Sequence, residues 1–150
     1  MSDGLHGAGA TLRVDATTNF VASTQTTIGN ITGIGGPNQS RDSIEKSSMD
    51  STAKWREFIG GMLDAGEITV DLNYDGAASG TANDLNTIKT AGTQYWRITM
   101  NDHTTAASKS YFQCLGFLTS LGHAIPFEDK VTQSATIKLS GAPTYTDIPA

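Results

Sequence analysis

The sequence predicts a mainly β fold: a β-sandwich or open barrel of two antiparallel sheets, with one short α-helix and a long loop. Three observations carry this. Short stretches alternate apolar and polar residues with period two, turn-forming Gly, Pro, Asn and Asp separate them, and one short segment has both helix start and stop signals. At 150 residues the chain fits a single domain, 1–150. That length buries a sizeable core without a disulfide or metal staple.

Taken in order, Gly4-Leu5-His6-Gly7-Ala8-Gly9 offers little to pack, so residues 1–10 read as an N-terminal arm. A first strand starts at Thr11, with Leu12 and Val14 alternating with Arg13 and Asp15. Ala16 to Thr27 is polar, and Ile28, Ile31 and Ile34 lead into the turn signal Gly35-Gly36-Pro37-Asn38. Gly66 to Tyr74 is the clearest strand: Ile68, Val70, Leu72 and Tyr74 share one face, and Glu67, Thr69, Asp71 and Asn73 the other. Thr81 to Lys89 reads as the helix, with Asn83 as N-cap, Leu85 and Ile88 on one face, and Gly92 beyond its end. Tyr95 to Met100 is a strand that sets Trp96, Ile98 and Met100 against Tyr95, Arg97 and Thr99. Tyr111 to Leu121 is apolar on both faces, as a central strand would be. Val131 to Leu139 turns Ala135, Ile137 and Leu139 inward.

The segment Ser51 to Ala65 resists this scheme. Trp55, Phe58, Ile59, Met62 and Leu63 recur at spacings of three and four, as on a helix, yet Gly60-Gly61 in the middle costs about 2 kcal/mol against two alanines. Helix and irregular loop both stay open. So do the two places these side chains can bury, their own core or a neighbouring molecule. Long structureless stretches inside compact domains are usually functional, and aromatic residues, Met and Arg are enriched at interface cores.

Composition excludes several functions. Fifteen acidic against ten basic residues give a net charge of −5, against static nucleic-acid binding and against docking on anionic lipid. Cys114 is the only cysteine and sits among apolar neighbours, so it reads as a small buried hydrophobe. No secretion signal or transmembrane stretch is expected, and the sequons Asn30-Ile31-Thr32 and Asn38-Gln39-Ser40 read as chance in a reducing cytosol.

Candidate chemistry is thin. Asp71-Leu72-Asn73-Tyr74-Asp75-Gly76 matches the first half of a calcium-binding EF-hand loop, but Ala82 stands where the bidentate Glu belongs. Gly33-Ile34-Gly35-Gly36 lacks the Lys and Ser/Thr of a phosphate loop, and Pro37 removes an N–H donor. His6, His103 and His123 are scattered without metal-ligand spacing. His103 belongs to a polar turn with Asn101, Asp102 and Thr104, and Glu128-Asp129 on a strand would point to opposite faces. The expectation is no enzyme, no cofactor and no metal.

Over most of its length the sequence resembles the tail tube proteins of long-tailed bacteriophages, the lambda-like major tail proteins. The stretches that carry this are Gly7-Ala8-Gly9-Ala10-Thr11-Leu12, Ile31-Thr32-Gly33-Ile34-Gly35-Gly36-Pro37, Arg41-Asp42-Ser43-Ile44-Glu45 and Met49-Asp50-Ser51. They continue with the block Trp55-Arg56-Glu57-Phe58-Ile59-Gly60-Gly61-Met62-Leu63-Asp64-Ala65-Gly66-Glu67, then Asp71-Leu72-Asn73-Tyr74-Asp75 and Ile137-Lys138-Leu139-Ser140-Gly141-Ala142-Pro143.

The resemblance implies a structural virion protein that self-assembles into stacked hexameric rings, the tail tube through which DNA passes into the host without specific binding. It implies tape-measure and tail-tip or terminator proteins as partners, no membrane, and a place in the virion tail after assembly in the host cytoplasm. It makes residues 42–66 a long inter-subunit loop, with Ile44, Met49, Trp55, Arg56, Phe58, Ile59, Met62 and Leu63 at the subunit interface. The N-terminal arm and a C-terminal arm, residues 142–150, would order on assembly, and no surface-decorating C-terminal domain is expected. Other readings are a ligand- or carbohydrate-binding β-sandwich module, a hydrolase using Ser with His103 or His123, and a tail terminator or head-completion ring protein.

Overall fold

The computed structural model describes residues 7–21, 24–51, 54–75, 81–105 and 108–146, with 81–84 described by backbone alone. Nine strands and one helix follow in chain order: β1 Thr11–Asp15, β2 Thr26–Ile28, β3 Ile31–Gly35, β4 Ser40–Glu45, β5 Phe58–Asp64, β6 Glu67–Asn73, α1 Thr81–Thr90, β7 Gln94–Thr99, β8 Tyr111–Ala124 and β9 Thr132–Thr146. They form two antiparallel sheets of unequal size. Seven strands make the body in the order β2-β1-β7-β8-β9-β6-β3, and β4 with β5 makes a separate two-stranded ribbon.

The body is one sheet that folds over its own inner face without closing into a barrel. Leu12, Val14 and Ile28 from one end of the strand order share a core with Ile68, Val70 and Leu72 from the other, and Trp96, Ile98, Ala135, Ile137 and Leu139 fill the space between. Curvature of this kind needs interruptions in the ladder. The long central pair β8–β9 has register shifts between Gln113 and Leu115 and between Leu118 and Ser120. Trp96, 1% exposed, also donates its indole N–H to the Gly116 carbonyl at 3.2 Å, so the largest core side chain leaves no polar atom unmet.

Period-two strands are placed as expected: in β6, Ile68, Val70 and Leu72 are buried while Glu67, Thr69 and Asp71 face solvent. The helix packs Leu85 and Ile88 into the core cluster. It begins at Thr81, so Asn83 lies inside it rather than capping it. Gly92 follows its end at φ 81°, the left-handed conformation that commonly ends a helix.

Four expectations are corrected. β8 is central in the sheet, yet its second face is not buried: Phe117 is 41% exposed, because no second layer covers that side. Residues 142–146 are not an arm; they continue β9 and pair with the start of β8, as in Phe112 with Tyr145. Glu128 and Asp129 lie in the β8–β9 turn rather than on a strand. The segment around Trp55 to Leu63 is neither helix nor irregular loop; its second half is β5, paired with β4. Met1 to His6, and residues 147–150 of the expected C-terminal arm, lie outside the described residues.

Candidate assembly interface

The ribbon is the outer half of one long hairpin. β3 and β6 pair inside the body, and residues 36–39 and 65–66 carry the two chains on into β4 and β5. The chains leave the sheet between two glycines. Gly36 has φ 102° and Gly66 φ 76°, both in the region only glycine adopts freely. A Cβ on Gly36 would stand 2.4 Å from the Glu67 carbonyl oxygen, and one on Gly66 2.0 Å from that of Asn38. The backbones are thus pressed together at the root. Asp64 fastens the same place, accepting the Gly66 N–H at 2.8 Å and approaching the Lys138 ammonium at 3.3 Å. The Gly66 amide first, and Lys138 second, hold the Asp64 carboxyl below the ordinary carboxylate range.

Beyond the root the ribbon is held mainly by polar contacts. Arg41 donates its Nε–H to the Gly61 carbonyl at 3.1 Å across a register shift. The far end is clasped by Lys46 N–H to Glu57 carbonyl at 2.9 Å and Glu57 N–H to Ser47 hydroxyl at 2.8 Å. Exposed ion pairs Lys46–Glu57 at 3.5 Å and Arg56–Glu45 at 4.0 Å add little. A lone two-stranded hairpin is marginal in water, and this one has only the partial burial of Ile44, Phe58 and Ile59 to help it.

Every residue expected at the subunit interface lies here, and all are exposed. Ile44, Phe58 and Ile59 are about half exposed; Trp55 is 77%, Leu63 74%, Met62 87% and Met49 fully exposed, while the Arg56 side chain is 79% exposed. Ile44 and Ile59 are direct cross-strand partners and Phe58 faces Glu45, so neighbours Phe58 and Ile59 point to opposite faces. The ribbon is therefore apolar on both sides. Burial in the subunit's own core, which the sequence left open, is not where these side chains go.

The other candidates do not converge. His103 accepts the Thr105 N–H at Nδ1, 3.1 Å, beside Asp102, whose carboxylate receives the Ser110 N–H at 3.1 and 3.2 Å. His123 meets the Tyr74 ring edge-on at 5.4 Å and Gln133 Nε2 at 3.2 Å. Cys114 is 3% exposed, and burial pushes its thiol up to about 11. Asp71 stays on the wet face of β6, and among the described residues no cluster of His, Cys, Asp and Glu could hold a metal ion. A cleft of about 670 Å³ lies between the stretch before β1 and β3 and is lined by Gly7, Ala10, Ile31, Ile34, Ile98, Met100 and Phe112 among others, none of them titratable.

Sequence reasoning missed one feature. The β8–β9 turn carries Ile125 at 78% and Phe127 at 100% exposure. Its signal was legible as Ile125-Pro126-Phe127 followed by Glu128-Asp129, an apolar run inside a turn.

An open, folded-over antiparallel sheet carrying a projecting two-sided apolar hairpin defines a subunit built for assembly. Residues 13–146 match the family of lambda phage tail tube proteins, and the chain belongs to that family. No curated protein matches the sequence. Solved structures share the fold at low identity. A chain from the tail of an empty gene transfer agent particle, refined with C6 symmetry, aligns with TM-score 0.71 and 18% identity over 95% of this chain and 99% of that one. The SPP1 tail tube aligns with TM-score 0.68 and 11% identity over 96% and 80%. A chain from the sheath–tube complex of an extracellular contractile injection system, in its extended state, aligns with TM-score 0.70 and 12% identity over 97% and 93%.

Proposed function

We propose that this chain forms hexameric rings that stack head to tail into the tail tube of a virion, the conduit for DNA ejection into the host. The exposed two-sided apolar ribbon carries the reading. Ile44, Met49, Trp55, Arg56, Phe58, Ile59, Met62 and Leu63 meet solvent in the subunit and leave it when neighbouring copies cover them. Residues 1–150 act as a single tail-tube domain, with 42–66 as its inter-subunit element. Family membership and the C6 arrangement of one structural relative support rings of six.

The role is structural, without catalysis or cofactor. Assembly takes place in the host cytoplasm, and the finished tube engages a tape-measure protein and tail-tip and terminator proteins. DNA passes through without specific binding. A net charge of −5 per subunit, repeated around each ring, disfavours the phosphate contacts that release counterions and make DNA adhere.

A terminator or cap role is the second reading, favoured by structural relatives from a sheath/tube terminator and a tube-terminating cap. Negative-stain microscopy of concentrated protein separates the two. Stacked tubes are the expected result; single rings indicate a terminator, and a monomer at every concentration refutes both.

A further inference from the structure

The β8–β9 turn has the makings of a docking point. Ile125, Pro126 and Phe127 are consecutive, apolar and exposed, and Phe127 is wholly so. Single exposed apolar side chains need no explanation, but three in a row are out of place on a soluble surface unless they have a use. Glu128 and Asp129 follow at once, both exposed and in no ion pair among the described residues.

Its location follows from the register. Asn73, the last residue of β6, pairs with Thr132, Ala124 pairs with the same Thr132, and Tyr74 N–H donates to Val131 carbonyl at 3.0 Å. The turn therefore lies just past the C-terminal end of β6. The ribbon departs from the N-terminal end, where Glu67 pairs with Lys138 and Leu139 N–H donates to Gly66 carbonyl at 3.1 Å. Thr132 and Lys138 are six residues apart on one strand, roughly 20 Å. The two largest exposed apolar features thus sit at opposite poles of the sheet.

Their chemistry is complementary. At the far end of the ribbon Trp55 stands between Lys54 and Arg56; among the described residues Lys54 is in no ion pair and Arg56 pairs only with Glu45, at 4.0 Å. At the turn, Phe127 is followed by Glu128 and Asp129. One is an aromatic flanked by cations, with Glu57 and Glu45 engaged by Lys46 and Arg56; the other is an aromatic followed by two carboxylates and then Lys130.

We propose that the β8–β9 turn is the acceptor for the ribbon end of a second copy of this chain, Trp55 meeting Phe127 and the Lys54–Arg56 pair meeting Glu128–Asp129. The contact is heterologous. Each copy that lends its ribbon keeps its own turn free for another, so the contact propagates along an axis instead of closing a dimer. This rests on the stacking reading above and names the surface that stacking uses.

Charge reversal tests it. The double variant Glu128→Lys/Asp129→Lys and the double variant Lys54→Glu/Arg56→Glu each lower the yield of sedimentable tubes by roughly tenfold or more, as loss of central charged anchors does. The quadruple variant, with both sides reversed, recovers tubes. Melting temperatures of the unassembled variants match wild type, which separates lost docking from lost folding. The pairing alone is overturned if wild type and the Glu128→Lys/Asp129→Lys variant assemble alike, or if the quadruple variant does no better than the doubles. Wild-type protein that never forms tubes overturns the stacking reading and the pairing with it.

Discussion

The body and the ribbon are made of the same kind of strand and differ in what holds them. In β6 every second side chain is buried, in the pattern that alternation writes into the sequence. In β5 no residue is buried, and every residue except Gly61 is exposed. One region owes its structure to apolar burial inside the subunit. The other keeps its shape through a glycine root, cross-strand backbone bonds and an end clasp, and leaves its apolar side chains unspent. The lesson is that the large sheet buries most of its apolar side chains in its own core, while the ribbon leaves its own in solvent, where other copies are proposed to cover them.

The sharpest way to break that comparison is to remove one large apolar residue from each side. Trp96→Ala in the body empties a fully packed site and removes the hydrogen bond to the Gly116 carbonyl; a loss of about 3–5 kcal/mol is expected in denaturant unfolding of the subunit. A loss below 1 kcal/mol would mean the core is not centred on that ring. Gly66→Ala comes next. Its φ of 76° and the 2.0 Å approach to Asn38 predict a cost of about 1–3 kcal/mol. Loosened exchange of the amides at the ribbon root would report it, and wild-type exchange would show that the root is not strained.

Trp55→Ala and Phe58→Ala sharpen the comparison from the other side. Unfolding free energy of the subunit should stay within about 0.5 kcal/mol of wild type while tube formation is lost. Equal losses of both would return these residues to the subunit core. The smallest effect concerns acid. Asp64 titrates below its ordinary value because the folded state hydrogen-bonds and pairs its ionised form. The root fastening is therefore complete above the usual carboxylate range and is lost as pH falls through the lowered value, below about pH 4. The Gly66 amide chemical shift should move in that window in wild type and stay still in Asp64→Asn. Movement in both would place the titrating group elsewhere.

Legibility in the sequence followed the same division. β1, β6, β7 and the inner half of β9 have one face on the core, so period two survives in their residues, and α1 has its Leu85 and Ile88 facing inward. β3 was unreadable because its ladder slips between Ile31 and Gly33 and glycine occupies alternate positions. β2 has only Ile28 buried among three residues. β9 reads as ended at Leu139 because residues 141–143, Gly, Ala and Pro, bulge opposite Cys114 before pairing resumes at Thr144. β5 misled most. Alternation is the imprint of one-sided burial, and a strand exposed on both faces has no such imprint, so the chance three-and-four spacing of Trp55, Phe58, Ile59, Met62 and Leu63 imitated a helix. The candidate site was named as a list of residues, from their type and from the resemblance, while its form as a paired hairpin was not legible. The β8–β9 turn escaped because neither periodicity nor resemblance singled it out.

The central claim is that the ribbon gains its cover from other copies and from nothing in its own subunit. Hydrogen exchange of the β5 amides, followed in the unassembled subunit and again in assembled tubes, tests it most directly. Fast exchange at Phe58–Asp64 beside slow exchange at Glu67–Asn73 in the subunit, with both segments slow in tubes, is the predicted result. Equal protection of the two segments before assembly, or a ribbon still unprotected within tubes, would contradict it.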